Sequence, residues 1–390
     1  MATSLSLPPF NYLVINFLTF TLFFLFLFKK LNAQVNRKVF FIYGWSFGFG
    51  YFISNLYWIS ISLTFDQSYK FLIPLALILI PAFLAIFYGA VSYLFIIFKP
   101  KKIVSSFLTF SLIFGILEFI RSSILTGFPW NLIAYSFSNH LEILSITSII
   151  GTYGFNLFCI SLFTSPAIFI LRDTRKDIAV FIFFLITPIF FYIYGSFYEK
   201  KFKLADKITY DYKIRAIGSN IGLDRFYKNI DTVSVIENLF ELSNINKNEK
   251  IFLIWPEGIL PDVSRDQLIE YDWLFNKQLS KNHLLALGIN FESNEDGIKK
   301  YYNSFSLYDN HLNLLDSYNK INLVPFGEFL PLEKILRKTG LRTITNNYQS
   351  FSRGYKRDIM KIEKDNFSLK ILPLICYEII YSGKIFENSD

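Results

Sequence analysis

Long runs of apolar residues fill the first half of the chain and give way to a mixed pattern in the second half. A membrane-spanning helix needs about 20 apolar residues. Six segments reach or nearly reach this length: about 12–28, 39–63, 71–98, 103–120, 141–171 and 178–198. Helices buried in a soluble core are neither so many nor so long. The pattern therefore predicts a helical membrane domain of about six spans over residues 1–198.

Charged residues in the loops between these segments predict their orientation. Ten Lys and Arg residues lie in the loops 29–38, 99–102 and 172–177, whereas the alternating loops carry only Lys70 and Arg121. Because positively charged loops stay in the cytoplasm, we expect the residues after 198 to lie outside it. Several lysines directly after the last segment oppose this orientation, but large domains are translocated largely regardless of charge.

The second half of the chain alternates short apolar runs with amphipathic stretches. The runs predict strands at 212–220, 250–256, 284–291, 302–309, 313–319 and 368–376. The amphipathic stretches predict helices at 229–243, 265–281 and 332–338. Strands that alternate with helices indicate an α/β or layered α–β–β–α domain, here over residues 210–390.

Composition excludes several classes of function. The net charge is +8, but Lys and Arg cluster at the ends of apolar segments and form no basic stripe with aromatic residues, so we expect no nucleic-acid partner. Two cysteines, Cys159 and Cys376, cannot form a disulfide framework. The three histidines show no spacing suited to a metal site, and we expect no metal and no cofactor.

Two polar features interrupt the membrane half. Glu118 and Arg121 lie three residues apart near the end of a span, and a charge inside a membrane costs roughly 2.5–3.5 kcal/mol on insertion scales. Such a pair is either a structural ion pair near the interface or the lining of a cavity. The loop 126–131 follows, and its Gly, Pro and Trp residues are typical of an interfacial turn and anchor.

Four residues at three places in the second half are candidates for catalysis because of where they lie. Glu257 ends an apolar strand after Trp-Pro, Lys320 and Glu328 flank a Pro/Gly loop, and Cys376 ends a fully apolar run. Taken singly, the first three are ordinary surface charges and Cys376 is a buried structural thiol.

Taken together, these residues form a plausible catalytic set. A thiol nucleophile needs a base for its proton and a cation for its thiolate, and a carbonyl under attack needs a donor for its developing oxyanion. Since no histidine is suitably placed, a carboxylate must act as the base and an ammonium as the donor. Glu257, Lys320 and Cys376, each closing a separate strand in that order, match the arrangement of the nitrilase superfamily.

With a membrane domain attached, the sequence resembles the apolipoprotein N-acyltransferase family. The resemblance runs through nearly the whole chain, in blocks whose order and spacing match the family: Leu7–Phe10, Trp45–Trp58, Glu118–Arg121, Thr126–Trp130, Trp255–Glu257, Lys320 with Leu323–Glu328, Ser350–Gly354 and Cys376–Glu378.

The resemblance implies a multi-pass enzyme of the bacterial inner membrane with its catalytic domain on the periplasmic side. It implies transfer of an acyl chain from a phospholipid, through a thioester on Cys376, to the α-amino group of the lipid-modified N-terminal cysteine of an apolipoprotein. Glu257 would be the general base and Lys320 the oxyanion donor. The resemblance further implies supporting roles for Glu328, Tyr377 and Glu378, and a lipid entrance near Phe128, Trp130 and Tyr227.

The sequence departs from the family pattern in three places. Aromatic residues at 226–227 stand where the family has a tryptophan, and the first residues correspond to the family's first span or just beyond it. The chain also stops at Asp390, where the family continues with a further segment and a last membrane helix. We therefore expect a fragment, a chain completed by a neighbour, or an inactive protein.

Two other functions remain open. A membrane-bound amidase of the same superfamily would use the same triad but release the acyl group to water. A truncated, non-catalytic membrane protein would only bind lipid or lipoprotein.

Overall fold

The computed structural model describes residues 1–31, 36–64, 67–124, 127–206, 209–222, 231–295, 297–330, 350–364, 367–383 and 385. The chain divides into two compact units, Met1–Asp206 and Lys207–Asp390. The first unit is helical and the second is built around a β-sheet.

The first unit contains long α-helices joined by short 3₁₀ helices. Its α-helices are α1 (Val14–Leu31), α2 (Arg37–Leu56), α3 (Ile73–Phe98), α4 (Ile103–Ser123), α5 (Leu141–Leu144), α6 (Thr147–Thr164), α7 (Pro166–Leu171) and α8 (Arg175–Leu204). The 3₁₀ helices cover Ala2–Ser6, Tyr57–Thr64, Gln67–Leu72 and Ile133–Phe137.

In the part of the chain that the structure describes, five helical stretches are long and apolar enough to cross a membrane: Val14–Leu31, Lys70–Phe98, Ile103–Ser123, Thr147–Leu171 and Arg175–Leu204. They fall on five of the six predicted segments. The other segment, 39–63, forms α2 and the 3₁₀ helix after it. Helix α2 has the length of a span, but it is less apolar than those five and packs along α3.

The interior of the helical unit is rich in phenylalanine. Phe20 and Phe24 of α1 pack against Phe114 and Phe110 of α4, with ring centroids 5.6 Å and 5.3 Å apart. All four side chains have no exposed surface. Edge-to-face and tilted contacts of this kind add stability beyond the area that they bury.

A mixed five-stranded sheet forms the centre of the second unit. Its strands, in the order in which they pair, are β1 (Lys213–Ala216), β2 (Ile251–Glu257), β3 (His283–Glu295), β4 (Ile298–Tyr308) and β5 (Leu314–Asn319). The first three strands are parallel, and β4 and β5 continue the sheet antiparallel. Each strand overlaps one of the strands predicted before residue 320.

Two α-helices cover one face of this sheet. Helix α9 (Thr232–Ser243) begins where the Asp231 carboxylate accepts hydrogen bonds from the backbone N–H groups of the first turn. Helix α10 (Asp272–Gln278) follows a 3₁₀ helix at Leu268–Tyr271. These elements account for the helices predicted at 229–243 and 265–281, while the one predicted at 332–338 lies outside the described residues.

The opposite face of the sheet is covered by a hairpin of β6 (Met360–Lys364) and β7 (Phe367–Ile371). Strand β2 contacts both covering layers, because successive side chains of a strand point to opposite faces of the sheet. Ile251 and Leu253 pack with the helices, whereas Phe252 packs with the hairpin. Helix, sheet and hairpin are thus three successive layers of the predicted sandwich. The predicted fold class, a helical membrane domain plus an α/β domain, is confirmed.

The prediction of a strand at 368–376 is wrong at its end. Strand β7 stops at Ile371, and residues 372–375 belong to no strand that the structure describes. Pro373 has no N–H to donate, so the apolar run cannot continue an ordinary ladder. Cys376 therefore does not close a strand but begins a 3₁₀ helix, Cys376–Ile380.

Candidate active site

A bulge in strand β2 brings Glu257 to the site. Trp255 and Glu257 pair with consecutive residues of β3, the second of which is Gly288, so the proline between them is an extra residue. In a regular strand without a bulge, residues 255 and 257 would share one face, and Trp255 is buried against the helices. The bulge turns the carboxylate to the hairpin side, where Oε1 accepts a hydrogen bond of 2.7 Å from Asn303.

Gly288 lets Glu257 reach across β3. Strand β3 lies between β2 and β4, so the carboxylate must pass over β3 to meet Asn303 of β4. A Cβ atom at position 288 would lie only 2.6 Å from Glu257 Cα. The close approach of the two strands therefore requires a glycine at this position.

Lys320 follows the last residue of β5 on the same side of the sheet. Tyr318, two residues earlier, packs against the hairpin, and the period of a strand gives Lys320 the same direction. Its side chain is 1% exposed, and Nζ donates to Glu328 Oε1 at 2.9 Å and lies 3.8 Å from Glu257 Oε1. The ammonium also lies 5.3 Å from the ring centroid of Tyr377.

The loop 323–329 holds Glu328 against this lysine. Glu328 Oε2 accepts a hydrogen bond of 2.9 Å from the N–H of Val324, whose carbonyl accepts from the N–H of Glu328 at 2.9 Å. The same carboxylate thus caps its own loop with one oxygen and binds Lys320 with the other. The structure therefore places Glu328 in direct contact with Lys320.

Asn303 is a site residue that the sequence does not reveal. Its Nδ2 donates to Glu257 Oε1 at 2.7 Å and to Glu328 Oε1 at 2.8 Å. Its backbone carbonyl accepts from the N–H of Lys320 at 2.9 Å. A single asparagine in a predicted strand carries no chemical signal by itself. Only the pairing of β4 with its neighbours shows which face it occupies.

Cys376 lies at the start of its 3₁₀ helix with a backbone φ of 53°. This left-handed conformation is strained for a residue with a side chain, and strain of this kind is concentrated at functional sites. The residue keeps an exposed surface, yet surrounding protein partly desolvates the thiol. Burial and the charges of Glu257 and Glu328 raise the pKa of Cys376, while the charge of Lys320 opposes them.

Glu378 links the turn that begins at Cys376 to the segment that follows Lys320. This glutamate has no exposed surface. Its carboxylate accepts hydrogen bonds from Tyr318 Oη (2.8 Å), from the backbone N–H groups of Ile321, Asn322 and Ile375 (3.0 Å each) and from Arg357 Nη2 (2.8 Å). Because these donors flank both Lys320 and Cys376, the carboxylate sets the distance between the two.

Arg357 is a second residue that the sequence does not reveal. Its side chain is 6% exposed, and Nη2 donates to both Glu378 and Tyr318 at 2.8 Å. It compensates the buried charge of Glu378. A lone arginine in a charged stretch of sequence reads as a solvated surface group, so no sequence signal separates it from its neighbours.

The predicted entrance residues belong to the helical unit or lie outside the described residues. Trp130 packs against Trp58 in a tilted arrangement, with ring centroids 5.7 Å apart, and keeps an exposed surface. Arg121 binds Glu118 at 2.8 Å and donates to the carbonyls of Phe128 (2.7 Å) and Trp130 (3.2 Å). The buried ion pair therefore holds this loop. Tyr227 lies outside the described residues, and the entrance stays a prediction.

Among the residues that the structure describes, no cluster of His, Cys, Asp and Glu could hold a metal ion. The site instead offers a thiol, a carboxylate and a buried ammonium. These groups can remove a proton from a nucleophile and stabilise an oxyanion, which is the chemistry of acyl transfer.

Comparisons with known proteins give one and the same family over most of the chain. Residues 1–165 match the family model described as apolipoprotein N-acyltransferase N-terminal domain. The apolipoprotein N-acyltransferases of Rhodopseudomonas palustris and Rhizobium rhizogenes are each 30% identical, over 98% of this chain and 73% of the relative. That of Rhizobium etli is 29% identical over the same shares of the two chains.

Proposed function

The chain belongs to the apolipoprotein N-acyltransferase family, and on this basis we propose that it transfers an acyl chain from a phospholipid to an apolipoprotein through a thioester on Cys376. The protein is a multi-pass membrane acyltransferase of lipoprotein biosynthesis. The proposal adds the donor, the covalent intermediate and the residues. The acceptor is the α-amino group of a lipid-modified N-terminal cysteine.

One observation carries the proposal. The buried ammonium of Lys320 lies between the carboxylates of Glu257 and Glu328, and the same three charges act on the Cys376 thiol. A thiol with a raised pKa stays protonated at neutral pH. It therefore needs a base, and the charge interaction between Glu257 and the thiol supports Glu257 in that role.

In the first step, the Cys376 sulfur attacks the ester carbonyl of the phospholipid while Glu257 takes the thiol proton. The carbonyl oxygen becomes an oxyanion, which the Lys320 ammonium stabilises; a single such donor contributes roughly 10²–10³ in rate. The intermediate then expels the glycerol oxygen of the lipid, which takes the proton from Glu257. A lysophospholipid leaves and the acyl chain remains as a thioester.

In the second step, the amine of the acceptor attacks the thioester carbonyl. Glu257 takes a proton from the attacking nitrogen, and Lys320 again stabilises the oxyanion. The carbon–sulfur bond breaks, the sulfur takes the proton back, and the product is an amide. The thioester retains the acyl energy while one lipid leaves and the other arrives.

The remaining residues support this chemistry. Glu328 keeps the ammonium of Lys320 in place, and Glu378 keeps the cysteine turn beside it. The Tyr377 ring faces the ammonium. We further propose that Phe128, Trp130 and Tyr227 lie on the lipid path. We also propose an inner-membrane location, and the loop charges support an orientation with the catalytic unit on the periplasmic side.

A transfer assay tests the proposal. The full chain is incubated in vesicles that contain a phospholipid with one isotope-labelled acyl chain and a peptide with a diacylglyceryl N-terminal cysteine. We expect the peptide to gain the labelled chain as an amide, and we expect no transfer with Cys376→Ala. Labelled free fatty acid without acylated peptide would instead indicate that the acyl group passes to water, as in the hydrolytic alternative. If a folded chain forms neither acylated peptide nor free fatty acid, both enzyme functions are contradicted.

A further inference from the structure

We propose that Asn303 is a positioning residue, whose side-chain amide orients the Glu257 carboxylate for proton transfer from Cys376. This inference rests on the proposed function, because it assigns a task to a residue beside the proposed base. Asn303 lies in β4, is 8% exposed, and pairs with Asn290 of β3 on one side and with the N–H of Lys320 on the other.

The amide fixes one oxygen of each carboxylate. Its two N–H groups can donate hydrogen bonds, one to Glu257 Oε1 at 2.7 Å and one to Glu328 Oε1 at 2.8 Å. Within the described part of the chain, Glu257 Oε1 is also the oxygen nearest to Lys320, and no hydrogen bond involves Oε2. Fixing Oε1 therefore leaves Oε2 available for the thiol proton.

A neutral donor suits this position better than a second cation. Glu257, Glu328 and Lys320 together carry one excess negative charge, which makes the site able to accept a proton. A second ammonium or guanidinium would form an ion pair with the carboxylates and weaken their basicity. The amide orients the base and leaves that charge unchanged.

The backbone of Asn303 extends the same arrangement to the lysine. Its carbonyl accepts the N–H of Lys320 at 2.9 Å, while its side chain binds both carboxylates. One residue of an interior strand thus fixes the proposed base, the proposed oxyanion donor and Glu328, the second carboxylate that contacts the ammonium. A rigid strand holds such geometry better than a loop.

The test measures the rate of acyl-adduct formation on Cys376 by intact mass, with the full chain and phospholipid vesicles. For Asn303→Leu and for Asn303→Ser, whose hydroxyl is too short to bridge both carboxylates, we expect the rate at saturating lipid to fall about ten- to a hundredfold, as for a lost hydrogen bond to a charged group. The half-saturating lipid concentration should not change. Asn303→Gln, which keeps the amide, should recover part of the rate.

Ser304→Ala is the matched control. Ser304 is fully buried in the same strand, and its hydroxyl donates to the Asn319 side chain at 2.6 Å rather than to a carboxylate of the site. We expect it to keep the wild-type rate despite the loss of a buried hydrogen bond. Alkylation of Cys376 by iodoacetamide at high pH, where hydroxide replaces the base, should stay unchanged in every folded Asn303 variant.

The outcomes separate this inference from the proposed function. If the wild-type chain forms no adduct, the proposed function is wrong and the inference falls with it. If wild-type forms the adduct and either folded loss variant matches its rate, the inference alone is wrong. A raised half-saturating concentration with an unchanged maximal rate would also overturn it, because it would indicate lipid binding. If Asn303→Leu does not fold, Asn303→Ser decides.

Discussion

At the scale of single residues, the Cys376 thiol is acted on by opposing charges. Burial and the charges of Glu257 and Glu328 raise its pKa, and the charge of Lys320 lowers it. A resting thiolate would need the lysine to dominate. The raised pKa instead indicates a neutral thiol that loses its proton only during attack, which gives Glu257 its proposed role.

Substitution of Glu257 should separate its electrostatic effect from its catalytic one. Because the Glu257 charge raises the Cys376 pKa, Glu257→Gln should lower that pKa and move the pH profile of iodoacetamide alkylation to lower pH. The thiolate is the reacting form, so alkylation at neutral pH becomes faster. Acyl-adduct formation should nevertheless fall about 10²- to 10⁴-fold, as expected for loss of a general base.

The matched control for this prediction is Glu270→Gln, which removes a carboxylate that does not act on the thiol. Its alkylation profile should coincide with that of the wild type. A Glu257→Gln profile that stays in place or moves to higher pH would contradict the assigned charge interaction.

The sequence predicts the residues of the site unevenly. Glu257, Lys320 and Cys376 differ from the positions around them, because each follows an apolar run, and together they make chemical sense. Asn303 and Arg357 each interrupt an ordinary alternating or charged stretch. Their roles come from partners far away in the chain, which a single sequence does not contain.

At the scale of structural elements, the bulge in β2 and the glycine beside it decide where Glu257 points. Period-two alternation places residue 257 on the helix face with Trp255, and only the inserted proline reverses it. The apolar pattern predicts the strand but not the reversal. A Trp-Pro-Glu sequence at a strand end is the one local sign of it, because proline within a sheet favours edges and bulges.

Gly288→Ala tests the close approach of β2 and β3. The added methyl group would meet Glu257 Cα at 2.6 Å, so one strand must shift. Since a displacement of 1 Å at an active site can cost about 10² in rate, we expect acyl-adduct formation to fall about a hundredfold. Gly218→Ala, where nothing lies within 4 Å of the added atom, should keep the wild-type rate. Equal rates for the two variants would contradict the account of the bulge.

The turn at Cys376 depends on the buried pair of Arg357 and Glu378. Arg357→Met leaves a fully buried carboxylate without its charge partner, which should destabilise the second unit by about 3–5 kcal/mol. Lys356→Met, in the exposed pair with Asp358, should change stability by about 1 kcal/mol or less. Thermal unfolding at a fixed scan rate measures both.

A double variant checks that charge compensation is the cause. Arg357→Met combined with Glu378→Gln removes the uncompensated charge and should unfold at a higher temperature than Arg357→Met alone. Additive losses in the double variant would mean that the two residues stabilise the fold independently.

Strand prediction fails at 372–375 and misses β6, the first strand of the hairpin, for physical reasons. A short apolar run looks the same whether it is a paired strand or an extended buried segment, so the end of β7 is not visible in the sequence. Strand β6 alternates buried and exposed positions from Met360 to Glu363. Its three charged side chains hide a pattern that is nevertheless present.

At the scale of the whole molecule, apolar length predicts the helical unit well. Five of the six predicted segments coincide with helical stretches long and apolar enough to span a membrane. Within the segment 141–171, the helix is interrupted at Gly151, which has a φ of 70°, and again before Pro166, where α7 begins. Helix α2 is harder to classify because Gly and polar residues dilute its apolar surface.

The two units contribute different parts to the proposed reaction. The helical unit contains a buried Glu118–Arg121 pair that holds the Trp130 loop, and the sheet unit contains the nucleophile and its partners. Both proposed substrates carry acyl chains and reside in a bilayer. A catalytic unit joined to a membrane domain can meet them by lateral diffusion.

Trapping the acyl intermediate shows whether Glu257, Lys320 and Cys376 act on one acyl carbon. The full chain is incubated with phospholipid vesicles without acceptor, digested, and mapped by mass spectrometry. We expect an acyl group on the Cys376 peptide that neutral hydroxylamine removes, as expected for a thioester, and that is strongly reduced in Glu257→Gln. An acyl group on another residue, or undiminished acyl transfer by Cys376→Ala, would contradict it.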